Sequence, residues 1–313
     1  MAKELLWAAQ NGESYFYDDE NHFFNSEVRH FAYKYLAEAE KVIRGVGDFD
    51  EAVTTFDYDN DGHNEYICAM SSYNACISLA SGQITHLDVI HNCSNYAVAS
   101  RLPEDKYNRG FFVDHLLSDE EFEQYMLTGS VYTGVFSTKK FRQIDFSSAK
   151  HEIKLRCDAE YSTMNLPVSL RKNYIANSDG FTVQLILKNE SPIALKANLI
   201  IESNFAQMNF KNPRLNSYNL EVVSNEEKKF FERPRQCVCL ENISGLQITD
   251  STNDISFIYG PNEDCNIIAM PVFSDKGTVF ITSLYWKIDL AANREIEKFI
   301  TFSIAPPKKK RHS

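Results

Sequence analysis

The sequence predicts a mainly β fold, in which two large sheets pack together after a short helical segment. Strand-like segments follow one another almost without interruption from residue 131 to residue 305. The chain has 22 Phe and 16 Tyr but only 9 Pro, and aromatic side chains favour a pleated, half-buried surface. Turn signals such as Ser178-Asp179-Gly180 separate neighbouring segments. So many strands in one chain of 313 residues need two packed sheets to bury their apolar faces.

The clearest helical pattern lies at residues 27–44. A stripe of apolar residues repeats there at three- and four-residue steps and is expected to pack onto the body of the protein: Val28, Phe31, Tyr35, Ala39 and Val42. The pattern changes after Gly47. We therefore predict a helical segment at 1–47, a β-sandwich domain at 48–305 and a basic tail at 306–313.

The strands follow in order along the rest of the chain. Segments 65–71, 75–80 and 83–89 read as strands, and Ser81-Gly82 is typical of a tight hairpin turn. A short helix is predicted at 119–127. The remaining predicted strands are 131–137, 151–157, 167–176, 181–187, 194–202, 219–223, 236–240, 245–249, 255–259, 266–271, 278–284 and 296–304.

Composition and charge exclude several classes of function. The net charge of −11 opposes binding to a phosphate backbone, so no nucleic-acid partner is expected. No apolar stretch is long enough for a membrane span or a signal peptide. The seven cysteines show no framework spacing, which favours reduced thiols and a cytoplasmic location. Cys237 and Cys239 would share one face of a strand, but no second pair of ligands completes a metal site. No organic cofactor is predicted.

An acidic loop at residues 57–65 has the pattern of a calcium site. Asp57, Asp59, Asp61 and Glu65 place carboxylates where a calcium loop has ligands, and the carbonyl of His63 adds a further oxygen. Gly62 permits the sharp turn, whereas the usual glutamate at the twelfth position is replaced by Cys68. The sequence therefore indicates either a Ca²⁺ site or a solvated acidic turn.

Two further groups of residues carry chemistry that a sugar-binding protein would use. Tyr285 with Trp286, and Tyr15 with Phe16, are candidate carbohydrate-binding pairs, because aromatic faces stack on the C–H faces of sugars; the alternative is that these rings lie in the core. Histidine and glutamate side chains could also serve as a general acid and a general base, but the sequence pairs none of the candidates. These are His86, His91, His115 and His151, with Glu202 and Glu232.

Several short stretches follow one another over nearly the whole chain: 10–33, 57–65, 74–78, 82–84, 87–88, 95–101, 112–117, 202–205, 223–227 and 230–233. In their order and spacing they resemble the region that follows the catalytic barrel in family 57 glycoside hydrolases, the amylase and 4-α-glucanotransferase group. Within the first, Gln10, Tyr15, Arg29 and Tyr33 match the family's residue types, whereas Phe16-Tyr17-Asp18 and Glu20-Asn21-His22 replace glycine-containing triplets. Side chains at these positions prevent the same close backbone approach to a sugar.

The resemblance implies an antiparallel β supersandwich similar to galactose mutarotase. It also implies that the catalytic carboxylates lie in a barrel outside these residues, so that no residue here is catalytic. The expected function is a non-catalytic module of α-glucan metabolism, which binds an α-glucan or oligosaccharide or docks to a separately encoded family 57 barrel. Two alternatives remain open: a sugar-active enzyme in its own right, either mutarotase-like or related to the glucanotransferases and amylases, and a structural remnant without activity.

Overall fold

The computed structural model describes residues 1–10, 26–58, 60–97, 105–132, 134–209, 212, 215–224, 227–274 and 277–306. These residues form three α-helices, which are α1 (Ala2–Ala9), α2 (Ser26–Val46) and α3 (Asp119–Thr128). They also form eighteen strands: β1 (Ala52–Phe56), β2 (Glu65–Ala69), β3 (Tyr73–Ser78), β4 (Gln83–Val89), β5 (Ser94–Asn95), β6 (Val113–Leu117), β7 (Arg142–Ser147), β8 (Glu152–Tyr161), β9 (Leu166–Asn177), β10 (Gly180–Asn189), β11 (Leu195–Ala206), β12 (Tyr218–Ser224), β13 (Lys228–Phe231), β14 (Val238–Asp250), β15 (Ile255–Pro261), β16 (Cys265–Ser274), β17 (Gly277–Leu290) and β18 (Glu295–Ala305).

The helical segment contains one helix that the sequence did not reveal, and this changes how the predicted helix packs. Helix α1 lies against α2, and Ala37 and Ala39 of α2 are buried. The predicted packing through Phe31 is wrong, because 42% of that side chain is exposed. Instead, the Arg44 guanidinium donates hydrogen bonds to the Met70 carbonyl and to Oδ1 of Asn74, which ties the end of α2 to the sheet below it.

That sheet is small and purely antiparallel, with strands β1 to β5 in sequence order. The predicted hairpin between β3 and β4 is confirmed: Gly82 has φ +62°, and a Cβ there would lie 2.9 Å from the Phe141 ring. A glycine suits both the backbone and the space. The Tyr73 hydroxyl donates to the Gly180 carbonyl, and the Tyr174 hydroxyl donates to that of Gly82. The small sheet is therefore fixed to the larger β body.

The larger sheet folds into two layers around one core. In strand order β6-β11-β17-β16 form one layer and β15-β18-β10-β9-β8-β7 form the other. Strand β14 pairs with β16 through its first half and with β12 and β15 through its second half, so it joins the layers. The core between them holds Leu170 and Tyr174 from one side and Leu199, Phe205 and Trp286 from the other. The expectation of a mainly antiparallel β fold is confirmed.

The outer face of the β6-β11-β17-β16 layer is covered by α3 and the chain on either side of it. Ser118 and Glu121 form a capping box at the start of α3, and Gly129 ends the helix with φ +66°. A second apolar cluster fills the space beneath, with Phe122 and Tyr125 of α3 against Ile200 and Ile281 of the sheet. The strand predicted at 131–137 is wrong: the described part of this segment forms turns, although Val135 and Phe136 are buried.

In the described part of the chain, no helix is long and apolar enough to cross a membrane.

Candidate functional site

The candidate site lies between α3 and the layer that α3 covers. Glu202 on β11 is paired in register with Val113 and Ser283 on its two neighbours, and Ile200 is paired with His115. Side chains of a strand alternate between its two faces, and paired residues point the same way. Glu202, His115 and Ser283 therefore all face α3. This brings Nε2 of His115 to 3.4 Å from Oε2 of Glu202, across 87 positions of sequence (202 − 115).

The Glu202 carboxylate is the centre of a buried polar network. The Tyr107 hydroxyl donates to both of its oxygens at 3.0 and 3.1 Å, and the Tyr125 hydroxyl donates to Oε2 at 2.8 Å. The Asn204 amide donates to Oε1 at 2.7 Å. We call Glu202, His115, Tyr107, Tyr125 and Arg109 the Glu202 cluster. It links α3 and the chain before β6 to the sheet.

Arg109 supplies the positive charge of the cluster. Its Nη1 lies 3.7 Å from Oε1 of Glu202. The rest of the guanidinium makes a two-point ion pair with Asp105, at 2.6 and 2.8 Å, and donates to the Gly129 carbonyl at 2.8 Å. Because Gly129 is the residue that ends α3, Arg109 holds this helix as well as the carboxylate.

Electrostatics keep Glu202 ionised. Burial alone would raise its pKa, but the His115 ring, the Arg109 guanidinium and the Asn204 amide outweigh burial and lower the pKa to about 2. Burial, together with the Glu202 charge, raises the pKa of both Tyr107 and Tyr125 well above the usual value. The two phenols therefore remain hydrogen-bond donors at neutral pH.

The structure brings His115 and Glu202 together as a possible acid–base pair, which the sequence alone did not identify. The pair is closed to solvent. Both side chains are fully buried. Nε2 of His115 is within ion-pair distance of Glu202 without hydrogen-bond geometry, and Nδ1 has no partner. In this arrangement a sugar ring has no route to either group. The cluster acts as a clamp that holds α3 on the sheet.

The other predicted acid–base residues lie apart from this pair. His86 is on the small sheet, where its ring lies 5.7 Å from that of Tyr33 and 5.8 Å from that of Tyr58. His151 occupies a left-handed turn after β7, and Glu232 is exposed. His91 lies in the turn before β5. The structure therefore brings together only His115 and Glu202 of the six candidates.

The aromatic pair Tyr285–Trp286 does not form the stacking platform that the sequence suggested. Consecutive residues on β17 point to opposite faces, so Tyr285 enters the cluster of residues beneath α3 and Trp286 enters the main core. Both rings are buried. The second candidate pair, Tyr15 and Phe16, lies outside the described residues.

The acidic loop is organised by hydrogen bonds to its own backbone. The two Asp57 oxygens accept from the amides of Asp61 and Gly62 at 3.1 Å each, and Oδ1 of Asp61 accepts from the His63 amide at 2.8 Å. Oε2 of Glu65 accepts from the amide of Tyr58. Among described residues, no group of three or more acidic, histidine or cysteine side chains could hold a metal ion. Asp59 lies outside these residues, so calcium binding stays a prediction.

An apolar groove lies on the helical segment, on the side of α2 turned toward α1. It has a volume of about 360 Å³ and is lined mainly by Leu6, Leu36, Ala39 and Ile43, with Asn74 and Asp88 from the sheet. Ile43 is 57% exposed, and Leu6 and Leu36 are also exposed. A groove lined by exposed apolar residues is a candidate binding surface. We call these residues the helical groove.

Comparison with known proteins identifies the family of this chain. A family model described as the C-terminal region of alpha-amylase/4-alpha-glucanotransferase matches residues 97–274, more than half of the chain. The chain belongs to this family. The match includes every residue of the Glu202 cluster, from Tyr107 to Glu202. No curated protein matches the full sequence significantly.

Solved structures agree with the family. The chain is similar to 4-alpha-glucanotransferase from Thermococcus litoralis, with a TM-score of 0.70 and 15% identity over 96% of this chain. It spans about half of that protein, 46% of its chain. Galactose mutarotase-like proteins from Clostridium acetobutylicum and Lactobacillus casei match with TM-scores of 0.55 and 0.54. They are 11% and 12% identical, over 82% and 77% of this chain and 99% and 100% of theirs. Because the sequence identities are this low, these structural matches establish only a shared fold.

Sequence reasoning missed the residues that complete the cluster, which are Tyr107, Arg109 and Tyr125. One signal was present: Glu202 directly follows the apolar residues Leu199, Ile200 and Ile201 on β11, and a charge beside such a run needs partners when it is buried. Asp105 and Arg109, four residues apart, were a second signal. Neither signal identifies which distant segment supplies the partners.

Proposed function

We propose that this chain is a non-catalytic module of α-glucan metabolism that docks onto a family 57 catalytic barrel through the helical groove. The observation on which this rests is the exposed apolar groove on α1 and α2. The resemblance of residues 10–33 to the region after the catalytic barrel of family 57 implies that the helical segment lies next to such a barrel. Family membership and the match to about half of a 4-alpha-glucanotransferase support a glucanotransferase-type catalytic barrel as the partner.

The closed Glu202 cluster supports a non-catalytic role. Glycoside hydrolysis needs two carboxyl groups on either side of an accessible glycosidic bond. Here Glu202 and the neighbouring carboxylate of Asp105 are buried and held in ion pairs with Arg109. We therefore assign the chemistry to the barrel and a structural role to the cluster. The free thiols of all seven cysteines support a reducing, cytoplasmic setting.

A second candidate function is a mutarotase-like activity of the chain itself. The observation in its favour is the 3.4 Å approach of His115 to Glu202. This activity requires α3 to open, because a general acid or base must come within hydrogen-bond reach of the sugar. A third possibility, a remnant without partner or ligand, predicts neither docking nor turnover.

Docking is tested by co-purification with the family 57 catalytic barrel encoded in the same genome, followed by size-exclusion chromatography with light scattering. We expect a stable one-to-one complex. Leu36→Glu and Ile43→Glu should each weaken binding at least about tenfold, since buried apolar anchors dominate interfaces. Leu127→Glu and Met164→Glu change apolar residues outside the groove that are even more exposed, and they serve as controls. A complex that all four variants leave intact, or no complex at all, refutes the proposed surface.

Activity and carbohydrate binding are measured separately. The isolated chain is incubated with maltoheptaose and with galactose, with calorimetry for binding and chromatography or polarimetry for products. We expect no transfer or hydrolysis of the glucan. Mutarotation that His115→Ala and Glu202→Gln abolish while the circular dichroism is unchanged would establish the second function. Glucan binding without docking would favour a carbohydrate-binding module.

A further inference from the structure

A second buried ion pair lies in the main core, away from the Glu202 cluster. Nζ of Lys172 on β9 lies 2.7 Å from Oδ2 of Asp114 on β6, and both side chains are fully buried. Strands β6 and β9 belong to opposite layers of the sandwich. Asp114 faces the main core, because it alternates with Val113 and His115, which face α3. The pair therefore spans the core between the two layers.

The surroundings of this pair are apolar and offer few hydrogen bonds. Tyr174 lies beside the amine, with its ring centroid 5.2 Å from Nζ, and Phe112 stacks edge-on against Tyr174. The Phe112 carbonyl accepts a second hydrogen bond from Nζ. Oδ1 of Asp114 has no hydrogen-bond partner. A buried carboxylate normally needs several donors, so this environment favours the neutral acid with a neutral amine over two ions.

We propose that Lys172 and Asp114 form an intramolecular isopeptide bond, which crosslinks the two layers of the sandwich. The two groups approach each other across the core, are enclosed by aromatic rings and form no salt bridge with a third residue among the described residues. Burial raises the pKa of Asp114 and lowers the pKa of Lys172, in each case against the attraction of the partner charge. Both changes increase the population of the neutral, reactive forms.

The reaction is a condensation that needs no additional reactant. The lone pair of the neutral Lys172 amine attacks Cγ of the Asp114 carboxylic acid, so that an Nζ–Cγ bond forms. The Cγ–Oδ1 bond then breaks, and the oxygen leaves as water with the carboxyl proton and one amine proton. No other carboxyl group among the described residues is hydrogen-bonded to the pair, so Asp114 supplies its own acidic proton.

Two physical effects favour this condensation inside the fold. In water, it is opposed mainly because the separate amine and acid are stabilised as solvated ions, and burial removes that stabilisation. Holding the two groups in contact also replaces a bimolecular encounter with an intramolecular one, for which effective molarities reach about 10⁵–10⁸ M. The same dry core keeps water from hydrolysing the product.

Mass spectrometry of the full chain tests the bond directly. We expect the folded protein to be lighter than its sequence by one water molecule. Trypsin should then fail to cleave after Lys172 and should release a branched peptide that joins residues 110–139 to residues 172–188. Chain that has never folded, recovered from inclusion bodies and kept in guanidinium, should have the full sequence mass and lose water only after refolding.

The branched peptide decides the result, because Asp61-Gly62 and Asp179-Gly180 can lose water by forming succinimides. Lys172→Met and Asp114→Ala should each retain the full mass. If either variant fails to fold, the digest of the unaltered protein still decides whether the bond is present. Ordinary cleavage after Lys172, with the peptide 110–139 recovered at its unmodified mass from folded protein, overturns the proposal and leaves a buried ion pair.

Discussion

Replacing Glu202 by Gln is the most informative single change in this protein. It keeps the size and most of the shape of the side chain but removes the charge at the centre of the Glu202 cluster. Arg109 would retain Asp105 as a partner, whereas the Tyr107 and Tyr125 hydroxyls would share one carbonyl oxygen in place of a carboxylate. The change therefore tests whether the cluster holds α3 on the sheet.

Two independent estimates of the magnitude agree. A carboxyl group whose pKa is lowered from 4.5 to about 2 stabilises the folded state by about 3 kcal/mol at neutral pH, at about 1.4 kcal/mol for each tenfold change in the acidity constant. Removing one partner of a buried ion pair typically costs about 3–5 kcal/mol. We expect Glu202→Gln to lower the free energy of unfolding by about 3 kcal/mol at pH 7.

The lowered pKa of Glu202 also fixes how its contribution to stability changes with pH. A lowered folded-state pKa contributes stability that is present above the unfolded value of 4.5 and is lost as the pH falls toward about 2. Urea unfolding followed by circular dichroism, from pH 7 to pH 2.5, should therefore show wild type and Glu202→Gln converging in acid. Glu232→Gln, at an exposed glutamate, is the matched control. A cost below about 1 kcal/mol, or two curves that stay parallel throughout, would refute the reasoning.

Three further predictions concern the small sheet and its helices. Phe31→Ala should cost less than about 1 kcal/mol in urea unfolding, because the ring is largely exposed, whereas Ala37→Glu at a buried site should cost at least about 2 kcal/mol. Burial, with the nearby Glu40, raises the pKa of Asp88 to about 7 despite a hydrogen bond from Asn95. The stability of the protein should therefore fall as the pH rises from about 4 to 7. In Asp88→Asn this fall should be absent, which melting temperatures at pH 5 and pH 8 would show. If the acidic loop binds calcium, ten times Kd should add about 1.4 kcal/mol, and Asp59→Ala should abolish the resulting rise in melting temperature.

Each of these three predictions has an outcome that contradicts it. A cost of about 3 kcal/mol for Phe31→Ala would mean that α2 packs through that ring after all. Equal pH dependence in wild type and Asp88→Asn would show that Asp88 is ionised in the folded protein at pH 5. Identical melting curves in calcium and in chelator, for wild type as well as for the variant, would leave the loop as a solvated acidic turn.

Local sequence determined the elements whose stability is local. The α3 helix was predictable because Ser118 and Glu121 cap its first turn through contacts three residues apart. The turn at Gly82 was predictable because a left-handed backbone selects glycine. The order and spacing of short stretches, which depend on the whole chain, also indicated the family and its mainly antiparallel β fold before any contact was known.

Only the tertiary structure decided which side chains meet. Strand β11 is buried on both faces, so its sequence lacks the alternation that would assign Glu202 to one side. The predicted strand ended at residue 284, so the opposite directions of Tyr285 and Trp286 on β17 were not deduced. An unrecognised α1 hid the packing face of α2. The Glu202–His115 and Lys172–Asp114 pairs join residues 87 and 58 positions apart (202 − 115 and 172 − 114). Strand register and layer packing set such distances, and no local propensity encodes them.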